Sequence, residues 1–105
     1  MKPTEIQIQC SSCEDDITID LAENKLYWEV VEADEREMGT ERLHEAVLNW
    51  TCDHCNEELI ITFHVWEYPE GFVNMQDIEI EGGELVYECD LEQFLFPENY
   101  FDDEV

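Results

Sequence analysis

The chain has 105 residues, 29 of them acidic against two lysines and two arginines, for a formal charge of −25 at pH 7. That balance excludes direct binding of DNA or RNA, because no basic patch exists to neutralise phosphates, and no apolar run is long enough to cross a bilayer as a helix. With 44% hydrophobic residues and twelve aromatics, the acidity does not imply disorder, and one domain with a proper core is expected.

In chain order, Thr4-Glu5-Ile6-Gln7-Ile8-Gln9 alternates as a strand does and runs into Cys10-Ser11-Ser12-Cys13. A second strand, Asp16 to Leu21, leaves that turn. Residues 25–33 read as a further strand and the polar stretch 34–40 as a turn. Residues 41–48 fit either a strand or a short helix capped by Thr40, with Leu43 and Val47 one turn apart. Val47 to Thr51 leads as a strand into Cys52-Asp53-His54-Cys55. Leu59 to Trp66, rich in β-branched and aromatic residues, leaves it and is broken by Pro69 and Gly71. Gly82-Gly83 predicts the two-residue turn of a final hairpin, pairing Glu81 with Glu84, Ile80 with Leu85, Glu79 with Val86, Ile78 with Tyr87 and Asp77 with Glu88. Asp90-Leu91-Glu92-Gln93 reads as a capping box opening one or two helical turns through Phe94-Leu95-Phe96, stopped by Pro97. The domain is drawn at 1–96, with 97–105 as an acidic aromatic tail. Trp28, Trp50 and Trp66 fall on predicted strands and are assigned to core or knuckle packing.

Each Cys-x-x-Cys turn brings two sulfurs close enough to share one ion, and together they supply the four thiolates of a closed tetrahedral site. With strands entering and leaving both turns, residues 4 to about 68 resemble a zinc ribbon, in which two knuckles at hairpin tips face each other across one structural Zn2+. The resemblance implies Cys10, Cys13, Cys52 and Cys55 as ligands and an all-β or β-rich small domain, here with an added C-terminal β-hairpin and short helix. Ribbon knuckles often carry Gly after the second Cys, where this chain has Glu14 and Asn56. Asn tolerates a left-handed backbone and Glu does so poorly, which sets the first knuckle apart.

Iron held by the same four sulfurs is the rival cofactor, as in rubredoxin-like proteins, although their second Cys is typically followed by Gly. A thioredoxin-type redox pair needs a βαβ setting, and no helix follows either motif. Structural disulfides fit poorly with an odd fifth cysteine and no signal peptide, so a reducing, cytoplasmic compartment is expected. Cys89 reads as a buried small hydrophobe on a strand, and His54 as a knuckle-surface residue. His44 and His64 lack the spacing of a catalytic set, and no enzymatic activity is expected.

The final hairpin would present one apolar and one acidic face. Along Asp77, Glu79 and Glu81 the carboxylates recur about every 6.6 to 6.8 Å, the order of phosphate spacing along a nucleic-acid strand. Like charges opposite one another on a sheet oppose folding, so the acidity needs an explanation. Salt adaptation would bring much Asp and Ala, whereas the chain has 20 Glu to 9 Asp, eight Ile and three Ala. The charge would steer a basic protein towards it, with strong salt dependence. A nuclease, toxin or restriction component fits that description. The expected role is that of an antitoxin, immunity or anti-defence inhibitor acting by polyanion mimicry through Asp77, Glu79, Glu81, Glu84 and Glu88, with Tyr100 and Phe101 of the tail as further contacts. Acidic DNA-mimic proteins share this charge and size, a resemblance of composition alone. The alternative role is an adaptor subunit of a larger complex, with acidity serving solubility and docking. Oligomeric state is left open.

Overall fold

The computed structural model describes residues 3–96, so Tyr100, Phe101 and the rest of the tail lie outside the described residues. Two antiparallel sheets account for most of the chain. Sheet A is ordered β2-β1-β7, from β1 (Glu5–Cys10), β2 (Asp16–Asp20) and β7 (Gly83–Tyr87); sheet B is ordered β3-β4-β5-β6, from β3 (Glu29–Arg36), β4 (Gly39–Thr51), β5 (Glu58–Glu67) and β6 (Val73–Glu81). A single turn of helix, α1 (Glu92–Leu95), follows.

The period-2 alternation read in the sequence decides which side chains meet between the sheets. Ile6 and Ile8 of β1, Ile19 of β2, Leu59, Ile61, Phe63 and Val65 of β5, and Ile78 of β6 form one buried cluster, closed by Leu21, Leu26, Ala46, Cys89 and Leu91. Each of the valine, leucine, isoleucine and phenylalanine side chains among them contributes about 1.5 to 3 kcal/mol on burial. Trp28, Trp50, Leu85 and Phe94 pack against this cluster. Trp66 instead lies beside His64, with ring centroids 5.9 Å apart.

Residues 41–48 are strand throughout. The β4 register runs unbroken against β5 from Arg42↔Glu67 to Thr51↔Glu58, and this long-range pairing overrides the local option of a Thr40-capped helix. The strand expected over 25–33 begins instead at Glu29 and extends to Arg36, and Glu37-Met38 makes the turn before Gly39, whose φ is +120°.

The predicted final hairpin does not form. β6 pairs with β5 and β7 pairs with β1, so none of the expected partners from Glu81–Glu84 to Asp77–Glu88 face each other. The reason is burial combined with charge. Against β5, Ile78 faces Phe63 and Ile80 faces Ile61, while Asp77, Glu79 and Glu81 face His64, Thr62 and Ile60. In the hairpin, Asp77 would have faced Glu88 and Glu81 would have faced Glu84, an unfavourable like-charge pairing.

The two glycines carry the chain from one sheet to the other. Gly82 has φ +95°, and a Cβ on Gly83 would lie 2.7 Å from the Gln9 carbonyl oxygen, so only glycine lets β7 approach β1 this closely. Beyond β7, the Gln76 side chain donates to Glu88 and to the Cys89 carbonyl and accepts from Leu91 N–H, fastening the return to α1. Cys89 is buried as expected but follows β7 rather than lying in a strand, and burial pushes its thiol up to about 11. The capping box is rearranged: Asp90 Oδ1 accepts from Glu92 N–H, and the Gln93 amide donates to the Asp90 and Pro3 carbonyls, so Leu91 stands at the cap.

Candidate metal centre and acidic face

β1 and β2 form one hairpin and β4 and β5 another, and each ends in a Cys-x-x-Cys turn with the same hydrogen bonds. Cys10 N–H donates to the Asp15 carbonyl and Glu14 N–H to that of Cys10; Cys52 N–H donates to the Glu57 carbonyl and Asn56 N–H to that of Cys52. Glu14 and Asn56, at the positions where glycine was missed, have φ +63° and +65°. For Glu14 that conformation costs about 1 to 2 kcal/mol. Glu14→Gly is therefore expected to stabilise the protein by about 1 kcal/mol, after the extra backbone entropy of glycine. Glu14→Ala, which removes the same charge but keeps the strain, should gain much less, and thermal melts of the two variants make the comparison.

The knuckles bring four sulfurs together across the hairpins. Cys10 Sγ lies 3.6 Å from Cys55 Sγ and Cys13 Sγ 3.7 Å from Cys52 Sγ, with all four atoms within 4.8 Å of one another. A tetrahedron with metal–sulfur bonds of about 2.3 Å has edges of about 3.8 Å, so the cluster has the size of a four-thiolate metal site. Cys10 and Cys52 are buried, Cys13 is half-buried and Cys55 is exposed, and none is in a disulfide. Backbone N–H groups point into the cluster. The N–H of Cys13, helped by that of Ser12 and by the Cys55 thiol against the opposing effect of burial, lowers Cys10 to about 7. Although the Asp15 N–H favours its thiolate, burial and the neighbouring sulfurs push Cys13 up to about 12. One thiolate thus forms readily and its charge opposes the next, a conflict that a bound cation removes. At the surface, His54 Nδ1 lies 3.2 Å from Asp15 Oδ2 and links the two knuckles, outside the set of four sulfurs.

The crossing from β6 to β7 adjoins this centre. Gly83 pairs with Cys10, and Ser11 N–H donates to the Gly82 carbonyl, so the end of the acidic strand also braces the first knuckle. The acidic residues singled out in the sequence are divided between the sheets. Asp77, Glu79 and Glu81 share the outer face of sheet B; Glu84 lies on β7 in sheet A, and Glu88 beyond it accepts from Gln76.

A buried polar group escaped the sequence reading. Glu67 is 4% exposed; its Oε1 lies 2.7 Å from His44 Nε2, its Oε2 accepts from Gly71 N–H at 2.7 Å, and Arg42 stands 3.5 Å away. Burial favours the neutral carboxyl, but the His44 and Gly71 hydrogen bonds and the nearby Arg42 charge outweigh it and hold Glu67 below its ordinary value. Extending the period-2 count of β5 from Leu59 through Val65 places Glu67 inward, and the same count on β4 aligns His44 with Ala46. On the opposite face His64 Nε2 lies 2.9 Å from Glu45 Oε2.

No protein family, curated protein or solved structure matches the chain. The four-cysteine centre and the charge distribution are therefore the grounds on which function is argued.

Proposed function

We propose that the protein is a non-catalytic binding module, folded around one structural Zn2+ held by Cys10, Cys13, Cys52 and Cys55 in the manner of a zinc ribbon, and that it inhibits a basic nucleic-acid-binding protein by polyanion mimicry. Zinc suits a closed set of four thiolates with no open position and no redox role; iron in the same cage would colour the protein red, and metal analysis separates the two.

The observation that carries the inhibitory reading is the row of outward carboxylates on β6, repeating every second residue and, among the described residues, opposed by no lysine or arginine, with His64 facing Asp77 already engaged by Glu45. Among the described residues Arg36 is paired with Glu41, Arg42 with Glu67 and Glu70, and Lys25 sits over the Tyr27 ring, so none of them offsets Asp77, Glu79 or Glu81. The adaptor reading draws support from the apolar residues exposed on the same face, which a protein surface can bury and a phosphate groove does not need.

Replacing Asp77, Glu79 and Glu81 with Ser together is expected to leave the melting temperature unchanged or slightly raised, because it relieves repulsion within one face. The same change should weaken capture of the partner from the source cells and flatten its salt dependence. A captured basic protein whose nucleic acid is displaced by the module supports inhibition. An assembly that keeps its nucleic acid bound alongside the module indicates the adaptor, and undiminished capture by the triple variant places the interface elsewhere.

A further inference from the structure

One long strand edge is left uncovered. Among the described residues β3, the last strand of sheet B, pairs only with β4, and all eight of its side chains are exposed. At the other side of the sheet, by contrast, β6 is fastened through Gln76 to the Cys89 carbonyl and the Leu91 N–H. In an antiparallel edge strand every second residue turns its backbone N–H and C=O away from the sheet. Among the described residues no hydrogen bond reaches those groups on β3. Register sorts the side chains: Glu29, Glu32 and Asp34 lie opposite Glu45, Leu43 and Glu41 on the outer face, and Val30, Ala33 and Glu35 opposite His44, Arg42 and Thr40 on the inner one. A bulge at Val31 interrupts the ladder, but from Glu32 to Arg36 the pairing runs residue by residue, a regular edge of about 17 Å. Four of the eight residues are acidic, and the one cation, Arg36, is engaged by Glu41 at 2.8 Å. Among the described residues no ion pair engages Glu29, Glu32, Asp34 or Glu35.

Backbone geometry and charge together select an occupant. Outward N–H and C=O groups are met by a chain in extended conformation, whereas a helix uses its own backbone groups internally. Charged side chains and bulges protect an edge from strands like itself. Here the charge is of one sign, so it repels a second copy, which would set four carboxylates against four, and attracts a strand rich in lysine or arginine. The described chain ends at Phe96, whose ring centroid lies 6.2 Å from that of His44, the partner of Val30. Residues 97–105 nevertheless hold four acids and no lysine or arginine, so the same charge opposes their addition to this edge. Alternation sets the rest of the pattern. A strand added to β3 places one set of alternate side chains beside Glu29, Glu32 and Asp34 and the other beside Val30 and Ala33, which fits basic residues alternating with apolar ones.

We infer that the free edge of β3 is the docking site for an extended basic segment of the partner protein, which adds as a fifth strand to sheet B with its lysines or arginines beside Glu29, Glu32 and Asp34. The inference rests on the proposal of a basic partner and specifies what part of that partner is held. Recognition then has two components: charge brings the segment in, and the backbone ladder selects its extended, alternating form.

The test uses the metal-loaded protein and two synthetic peptides of identical composition, one alternating lysine with valine and the other carrying the same residues in two blocks. At physiological salt the alternating peptide is expected to bind at least about tenfold more tightly by fluorescence anisotropy. Amide hydrogen exchange locates it: every second N–H of β3 should slow at least about tenfold on saturation, while those of β6 do not change. Glu32→Lys with Asp34→Lys, both at exposed positions, should weaken the alternating peptide about tenfold or more and leave the melting temperature near wild type. The variant with Asp77, Glu79 and Glu81 replaced by Ser should keep the protection of β3. Equal affinity for the two peptides, or binding without protection of β3, overturns the edge site while leaving a basic partner in place. Protection of β3 already present without peptide overturns it also, and assigns the edge to a second copy if it grows with protein concentration and to the chain's own tail if it does not. Failure of both peptides to bind even at low salt overturns the basic partner as well.

Discussion

Stripping the metal, or replacing Cys52 with Ser, is expected to abolish cooperative unfolding altogether. Four-thiolate zinc contributes about 10 to 16 kcal/mol of apparent binding energy near neutral pH, and a domain of this size has about 5 to 15 kcal/mol in total. Loss of the proposed ion would thus remove as much stability as the fold possesses. Cys52 makes the sharpest probe, because it is buried, sits 3.7 Å from Cys13 and begins the second knuckle with its own hydrogen bond to Glu57. Without a cation the cluster also keeps the conflict among its thiols, and the −25 charge of the chain leaves little reserve against expansion. Circular dichroism melts with and without a strong chelator, with metal content measured on the same samples, give the result. Zinc added back should restore the transition to wild-type protein and not to the Cys52→Ser variant. A metal-free protein that melts as the loaded one does would refute the ligand assignment.

The second large effect is expected at the opposite end of β5. Glu67→Ala should cost about 3 kcal/mol or more, the usual result of removing one member of a buried charged group. The substitution leaves Gly71 N–H without its acceptor and His44 and Arg42 without their shared carboxylate. Glu67→Gln isolates the charge. Because the folded protein holds Glu67 below its ordinary value of 4.5, the ionised carboxylate stabilises the native state fully above that value. Its contribution disappears as pH falls through the lower, folded value, where native and unfolded chains are both protonated. The stability gap between wild type and Glu67→Gln should therefore be widest near neutral pH and close on acidification. Urea titrations at a series of pH values check this, and a gap independent of pH would mean that Glu67 acts only as an uncharged acceptor.

What could be seen in the sequence was what depends on neighbours in sequence. The knuckles, the strands that frame them and the inward residues of β1 and β5 follow from period-2 alternation and from Cys-x-x-Cys turns, which close within a few residues. The need for a left-handed residue after each second cysteine was equally local, and Glu14 and Asn56 adopt that conformation. The failures were of pairing. Gly82-Gly83 signals a change of direction, and a hairpin is the nearest way to use it, but the choice between partners was made by Phe63 and Ile61 far upstream, which offered Ile78 and Ile80 an apolar surface free of opposing carboxylates. Residues 41–48 were ambiguous for the same reason, since the register with β5 settled them as strand. Glu67 was passed over because an acid at the end of a strand is ordinarily solvated; the alternation of β5 points it inward, and its partners His44 and Arg42 on β4 and the Gly71 N–H make that burial tolerable.

The crossing at Gly82 has a consequence for the order in which the protein assembles. Sheet B pairs strands that follow one another along the chain, whereas β1 must await β7, with Gln7 joined to Tyr87 across nearly the whole described sequence. Loop-closure entropy makes such distant pairings slow. An ion held by the β1–β2 and β4–β5 hairpins would join Cys10 to Cys55 and so shorten the effective loop that β7 must close. Such an ion would thereby serve assembly as well as the finished fold, holding β1 in place until the last strand arrives.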